Sequence, residues 1–253
     1  MLRLKIIACK ALFRELSLLA THSTNIVDFT WLSWGLHDVI GGLSVALQNE
    51  INAIDSGEDL HTSYPPFDQP FDAILLGYGL CSNGVEGLSS SKYPLVIPRA
   101  HDCITLYLGS KERYQKLFLE NGGTFWFSAG WIENSPMPGK KRHDMMVAQY
   151  AEKFDLETAE ELVSIYEEWQ ENYTRLGKIN WPEFAGEEFT RFHDELSRKC
   201  AEELGWTLEE FEGDSSLLRS FIAGNWDNER FLVVPPGKKV EASYREDIIT
   251  IAE

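Results

Sequence analysis

Short apolar runs punctuate the first half of this chain: Leu4-Lys5-Ile6-Ile7, Ala73-Ile74-Leu75-Leu76 and Pro94-Leu95-Val96-Ile97. Runs of this length, bounded by turn formers, are the pattern of strands buried on both faces. Such strands belong to parallel sheets covered by helices. Each run is followed by residues that can do chemistry: Cys9 after the first, Cys81 after the second, and His101-Asp102-Cys103 after the third. If the strands lie parallel in one sheet, those side chains converge on the edge made by the strand C-termini. That edge is where open α/β sheets bind ligands.

The segments between the runs fit the same plan. Ala11-Leu12-Phe13, Leu16 and Leu18-Leu19 have helical spacing, and Asn25 to Leu32 is rich in strand formers. Asp38 to Ile54 reads as a helix whose start is weakened by Gly41-Gly42. A polar loop with Asp55-Ser56-Gly57 and Tyr64-Pro65-Pro66 follows. Phe71 to Tyr78 and Leu95 to Ile97 are strands three and four, and a helix starts at Cys103. Ser110 caps a further helix that ends at Gly122-Gly123, and Thr124 to Phe127 reads as a fifth strand.

Beyond Asn134 the chain turns acidic and helical, through 144–175 and 189–204, with Leu208 to Phe211 extending that stretch. Gly213-Asp214-Ser215-Ser216 caps a helix carrying Leu217, Leu218, Phe221 and Ile222, and Arg230 to Val234 returns as a strand. The predicted fold is α/β: a Rossmann-like parallel sheet with helices on both faces and an α-helical insertion. Residues 1–135 form the core with the cysteine and histidine site, 136–212 the acidic insertion, and 213–253 the return to the core.

Charge and cysteine usage narrow the function. With 40 acidic against 23 basic residues the formal net charge is −17, a surface that repels nucleic-acid phosphates. The basic cluster Lys140-Lys141-Arg142-His143 reads as a solvated loop. No apolar run is long enough for a membrane span, and the N-terminus has no signal-peptide pattern, so the expected location is the cytoplasm. Four cysteines in a chain expected there stay reduced, which leaves metal binding, catalysis or plain burial.

Thiolate and imidazole are ligands that zinc prefers. Cys9, Cys81 and Cys103 with His101 would close a tetrahedral site. Three cysteines alone could hold a [4Fe–4S] cluster with one iron open. The ligands are spread along the chain and not paired as Cys-x-x-Cys, which suits a site assembled by a preformed sheet. Asp102 is positioned to orient His101, itself a ligand or a general base. The His-x-Cys pair resembles the zinc site of corrinoid-dependent thiol methyltransferases, although the order of the cysteines differs. Against this, a single cysteine packs well as a small hydrophobe. Cys200 reads as helix packing, and His22, His37, His61, His143 and His193 as surface or hydrogen-bonded residues.

Gly77-Tyr78-Gly79-Leu80-Cys81-Ser82-Asn83-Gly84 follows a strand as a dinucleotide-binding loop would, but the G-x-G-x-x-G spacing fails at its end. Close approach to a metal or cofactor explains these glycines as well. Tyr78 and Trp131, with Trp31 and Trp34, are expected in packing or as pocket walls around a bound substrate. Arg99 is either a bidentate anchor for a substrate carboxylate or a salt-bridge partner.

Several of these segments together resemble one family: Ile7-Ala8-Cys9, Leu76 to Gly84, Ile97 to Thr105, Leu108-Gly109-Ser110, Tyr173-Thr174-Arg175, Trp226-Asp227 and Val233 to Gly237. They are similar to the family called domain of unknown function 1638. That resemblance implies no particular activity. It implies relatives in anaerobic archaea and bacteria, some beside genes for corrinoid methyl transfer, and hence a corrinoid or methyltransferase protein as a partner. An acidic residue is expected after the first cysteine, where this chain has Lys10.

Three functions are therefore expected to compete. The first is a zinc-thiolate enzyme of thiol or methyl-group transfer acting on a small molecule in one-carbon metabolism. The second is an iron–sulfur enzyme of the lyase or dehydratase type, and the third a non-catalytic metal or cofactor carrier.

Overall fold

The computed structural model describes residues 1–38, 41–59, 70–184, 186–243 and 245–252, and divides them between two compact units. Met1–Tyr114 with Asp214–Glu253 make the first unit, and Gln115–Gly213 the second. The expected boundaries were 135 and 212.

In the first unit the apolar runs become strands β1 (Arg3–Cys9), β3 (Ala73–Gly77) and β4 (Leu95–Pro98). They lie in a five-stranded sheet with β2 (Ile26–Leu32) and β8 (Phe231–Val234), in the order β2-β1-β3-β4-β8. Neighbours from β2 to β4 are parallel, with Ile6 opposite Phe29 and Leu75, and Leu75 opposite Val96. The returning strand β8 runs antiparallel to β4, pairing Val233 with Val96. Leu4, Ile6, Ile7, Ile74, Leu75, Leu76, Val96 and Ile97 are fully buried, as central strands of this kind require.

The helices of this unit are α1 (Phe13–Thr21), α2 (Gly42–Ser56), α3 (Cys103–Leu108) and α9 (Ser216–Ala223), with the first turn of α4 (Lys111–Glu120). Helix α2 starts at Gly42, after Gly41 at φ +70°, because the left-handed glycine breaks any continuation from Asp38. The Val39-Ile40 part of that expected helix, His61 and the Tyr64-Pro65-Pro66 turn lie outside the described residues.

The second unit corrects the expectation of a helical insertion. It has its own parallel sheet, β5-β6-β7, made of Thr124–Ser128, Arg175–Asn180 and Thr207–Glu212. Strand β5 is thus not a fifth strand of the first sheet. Helices α5 (Ala129–Asn134), α6 (Lys140–Ala151), α7 (Leu156–Glu167) and α8 (Glu187–Leu204) complete this unit.

Phe127, Ile132, Leu176, Cys200 and Ala201 form a core cluster there, and the Cys200 thiol donates to the Pro138 carbonyl at 3.3 Å. The basic run expected in a solvated loop opens α6 instead. Its Lys140 pairs with Asp144 at 2.8 Å, while Arg142 is buried with its guanidinium against the Trp169 ring. His143 and His193 are hydrogen-bonded, to Glu167 at 2.8 Å and Glu133 at 3.0 Å.

Candidate functional site

The strand order places a topological reversal at β1, which has β2 on one side and β3 on the other. Cys9 is the last residue of β1, at this reversal. Past the end of β3 the chain does not leave the sheet direction. The Leu80 N–H donates to the Ala100 carbonyl at 2.7 Å, and the Cys81 N–H to the His101 carbonyl at 2.9 Å. These two bonds carry the pairing of neighbouring segments beyond β3 and β4, and so tie Cys81 to the stretch that delivers Cys103. Cys103 is the first residue of α3, whose N-cap is Asp102.

Glycine makes this approach possible. A Cβ on Gly79 would stand 2.8 Å from both the Ala100 oxygen and the Asp102 nitrogen, and one on Gly77 would stand 2.7 Å from the Ala8 Cβ. A Cβ on Gly84 would overlap Leu43 at 2.4 Å. The glycines therefore serve close contacts between backbone segments.

Cys81, Ser82 and Asn83 are consecutive residues in the left-handed region, at φ +44°, +56° and +62°. For L-residues that conformation costs about 1–2 kcal/mol each, least for asparagine. Strain of this kind concentrates at functional sites, where surrounding contacts hold it in place. The sequence carried a signal for it in Asn83-Gly84, a turn-forming pair.

The three sulfurs lie within electrostatic reach of one another. Burial pushes the Cys9 thiol up to about 11, against a backbone N–H at Ala11 that lowers it. Burial, then the negative charge of Asp102, pushes Cys81 up to about 12, with Cys9 adding to the rise. Cys103 is raised well above the usual thiol range by burial, then by Cys81, Asp102 and Cys9. All four cysteines of the chain are free thiols.

Tyr78 stands among these thiols. It is 4% exposed, its hydroxyl has no hydrogen-bond partner, and its proton is held tighter by burial and by Cys9, Cys81 and Cys103. Asp102 accepts the Ile104 N–H at 3.0 Å and the Tyr114 hydroxyl at 3.0 Å. Burial raises its proton affinity, and those hydrogen bonds oppose the rise. In the sequence Tyr114 reads only as part of the helix that follows Ser110, and nothing in that context marks it as a partner of Asp102.

Other expected site residues are placed elsewhere. His101 is exposed, and its charge is felt by Asp102. Arg99 is not a free anchor for a carboxylate. Its Nε donates to the Asn228 carbonyl at 2.9 Å, and Nη1 donates to the carbonyls of Asp247, at 2.9 Å, and Ile249. Asp247 and Ile249 flank Ile248, a β-branched residue at φ +64°, so the guanidinium fastens a strained turn. Trp131 belongs to the second sheet's unit and packs edge-on against Phe125 with centroids 5.9 Å apart, because the strand before it is β5. Trp31 stacks on Phe29 at 4.7 Å, and Trp34 meets His37 edge-on.

A separate pocket of about 130 Å³ is lined by Arg99, Thr105, Lys111, Glu112, Glu229 and Arg230, among others. Three cations, Arg99, Lys111 and Arg230, line it with two acids, Glu112 and Glu229. Among the described residues, no group of three or more His, Cys, Asp or Glu side chains is arranged to hold a metal ion. Among them, too, no helix is long and apolar enough to cross a membrane.

An α/β protein with thiols gathered at a sheet reversal is the class that these features define. A family model described as protein of unknown function (DUF1638) matches residues 31–222, and the chain belongs to that family. Cys81 and the His101-Asp102-Cys103 run fall inside the match, whereas Cys9 precedes it. No curated protein and no solved structure matches the chain.

Proposed function

We propose that this chain is a thiolate-held metalloprotein whose centre is an iron–sulfur cluster on Cys9, Cys81 and Cys103. The sheet is read as Rossmann-like, with the centre at its β1/β3 reversal and the thiols kept reduced in a cytoplasmic setting. The observation that carries the reading is the trio itself: buried Cys9 with half-buried Cys81 and Cys103, from three adjacent segments, each making the next harder to ionise. A bound cation reverses the sign of the effect, since it stabilises the thiolate directly.

A single zinc ion draws every sulfur to about 2.3 Å from one point. In a [4Fe–4S] cluster each thiolate binds a different iron, so donors from three strands can stand farther apart. Cys9, Cys81 and Cys103 would hold such a cluster, which would supply a Lewis acid to a small substrate, the chemistry of a lyase or dehydratase.

The protein's own contribution is threefold. Buried Tyr78 stands among the thiols in poorly solvated surroundings, which strengthens electrostatic interactions there. The strained 81–83 turn fixes one ligand. Asp102, fixed by the Ile104 N–H on Oδ1 and the Tyr114 hydroxyl on Oδ2, holds a carboxyl group beside the site whose proton affinity burial raises.

Zinc is the second reading, favoured by His101 two residues before Cys103 and exposed enough to turn. It would carry the thiol or methyl-group transfer expected with a corrinoid protein partner.

Anaerobic purification followed by assay of iron, acid-labile sulfide and zinc tests both. Iron with matching sulfide, lost in Cys81→Ser, is expected. Zinc without sulfide selects the second reading, and neither metal rejects both.

A further inference from the structure

The pocket lined by Arg99, Thr105 and Lys111 lies wholly within the first unit, and none of the cysteines lines it. Its volume, about 130 Å³, is close to that of a cavity able to hold benzene, about 150 Å³, and so admits a group of about five or six heavy atoms. Thr105 is 1% exposed, and its hydroxyl makes no hydrogen bond. The usual relief for a threonine inside a helix is the carbonyl four residues back. Here that is the His101 carbonyl, which accepts the Cys81 N–H at 2.9 Å instead. A buried hydroxyl left so costs about 1–3 kcal/mol, which a group entering with an acceptor oxygen would offset.

The surrounding charges select the acceptor. Lys111 donates to the Glu246 carbonyl at 2.9 Å, and Arg99 to the carbonyls of Asn228, Asp247 and Ile249. Neutral carbonyls thus hold both cations in place without cancelling their charge. Among the described residues no carboxylate pairs with Arg99, although Asp247 is in electrostatic reach, and Lys111 meets Glu112 at 3.9 Å. Arg230, by contrast, is spent on Asp227 at 2.6 Å. Glu112 accepts the Ser110 hydroxyl at 2.7 Å, and both it and Glu229 are exposed, so water and salt screen these acids. Helix α4 also starts here, and its first turn adds partial positive charge.

We infer that this pocket binds the phosphate group of a small molecule. Thr105 donates its hydroxyl hydrogen to one oxygen, while Lys111 and Arg99 balance the charge. A hydroxyl, two fixed cations and a helix start exceed what the two oxygens of a carboxylate can use, and the five heavy atoms of phosphate match the volume. The assignment is independent of any metal centre.

Amide NMR shifts of the isotope-labelled full chain, titrated with inorganic phosphate and in parallel with acetate, provide the test. Thr105→Val keeps the side chain's shape and removes the hydroxyl, and Lys111→Gln removes one charge. Lys116→Gln, at an exposed lysine of the same helix, is the control. Phosphate is expected to bind the natural protein and Lys116→Gln alike, and to bind Thr105→Val and Lys111→Gln about tenfold more weakly. Acetate is expected to bind the natural protein more weakly than phosphate does.

No shift at up to about 10 mM phosphate overturns the inference. Equal affinity in Thr105→Val and the natural protein overturns it too. So does equal weakening in Lys111→Gln and Lys116→Gln, which marks diffuse attraction. Acetate bound as tightly as phosphate overturns the phosphate assignment in favour of a carboxylate. Melting temperatures show that each variant is folded, and if Thr105→Val is not, the comparison of the two lysine variants decides on the same terms.

Discussion

The first unit contains four parallel strands and the second three, and their C-terminal strand ends are finished differently. In the second unit the polar groups there are used locally. Ser128 caps α5 by accepting the Trp131 N–H at 3.4 Å. The Asn180 side chain donates to Glu210 at 3.0 Å, and its carbonyl accepts the Gly213 N–H at 2.7 Å. Even the buried charges of that unit are paired: Lys178 with Asp194, and His193 with Glu133. In the first unit the corresponding ends carry three protonated thiols, an unpartnered tyrosine hydroxyl and three successive left-handed residues. One edge is closed on itself, while the other keeps unspent donors and stored strain. A site for a ligand requires that second condition, because a saturated edge gains nothing by binding.

The largest effect expected from breaking this contrast is loss of metal. Cys81→Ser and Cys103→Ser should lower iron or zinc content at least tenfold by elemental analysis, whereas Cys200→Ser, in the second unit's core, should leave it unchanged. Next comes the backbone seam. Gly79→Ala forces a Cβ into the Ala100–Asp102 backbone and should cost about 2–3 kcal/mol in denaturant unfolding. A comparable cost of about 3 kcal/mol is expected for Asp194→Ala, which strands Lys178 at 2% exposure with its ammonium unpaired. That change should leave metal content intact.

The pH prediction is smaller and has a definite sign. In the metal-free protein the thiols of Cys9 and Cys81 titrate near 11 and 12 when folded, above the usual value near 9. The unfolded chain therefore binds fewer protons between about pH 9 and 11, so stability present below pH 9 falls as pH rises through that window. Melting temperature should decline more steeply there for the natural protein than for Cys9→Ala. Alkylation by iodoacetamide at pH 8 should be slower in the folded state than in urea, since the thiolate is the reactive form.

How much of this could be read beforehand differs by strand. β1, β3 and β4 announce themselves because central parallel strands must be apolar on both faces. β6 and β7 do not. β6 contains Gly177, whose added Cβ would meet Thr124 and Trp126 at 2.7–2.8 Å, and Lys178, buried only by virtue of a distant aspartate. β7, Thr-Leu-Glu-Glu-Phe-Glu, is an edge strand with most side chains partly or fully exposed, so its charges look like those of an acidic helix.

The same divide runs through the site. The convergence of Cys9, Cys81 and Cys103 followed from strand ends, which sequence spacing reveals. The role of Arg99 as a tie for the Ile248 turn, and the seating of Trp131 on another sheet, depend on partners more than a hundred residues away or on sheet membership. No local pattern encodes either.

The seam between Leu80-Cys81 and Ala100-His101 has a consequence for diversification. Because main-chain atoms hold those two segments together, their spacing is largely independent of which side chains occupy positions 81, 101 and 103. Substituting any of those side chains would change the chemistry offered at this edge while the seam stays as it is.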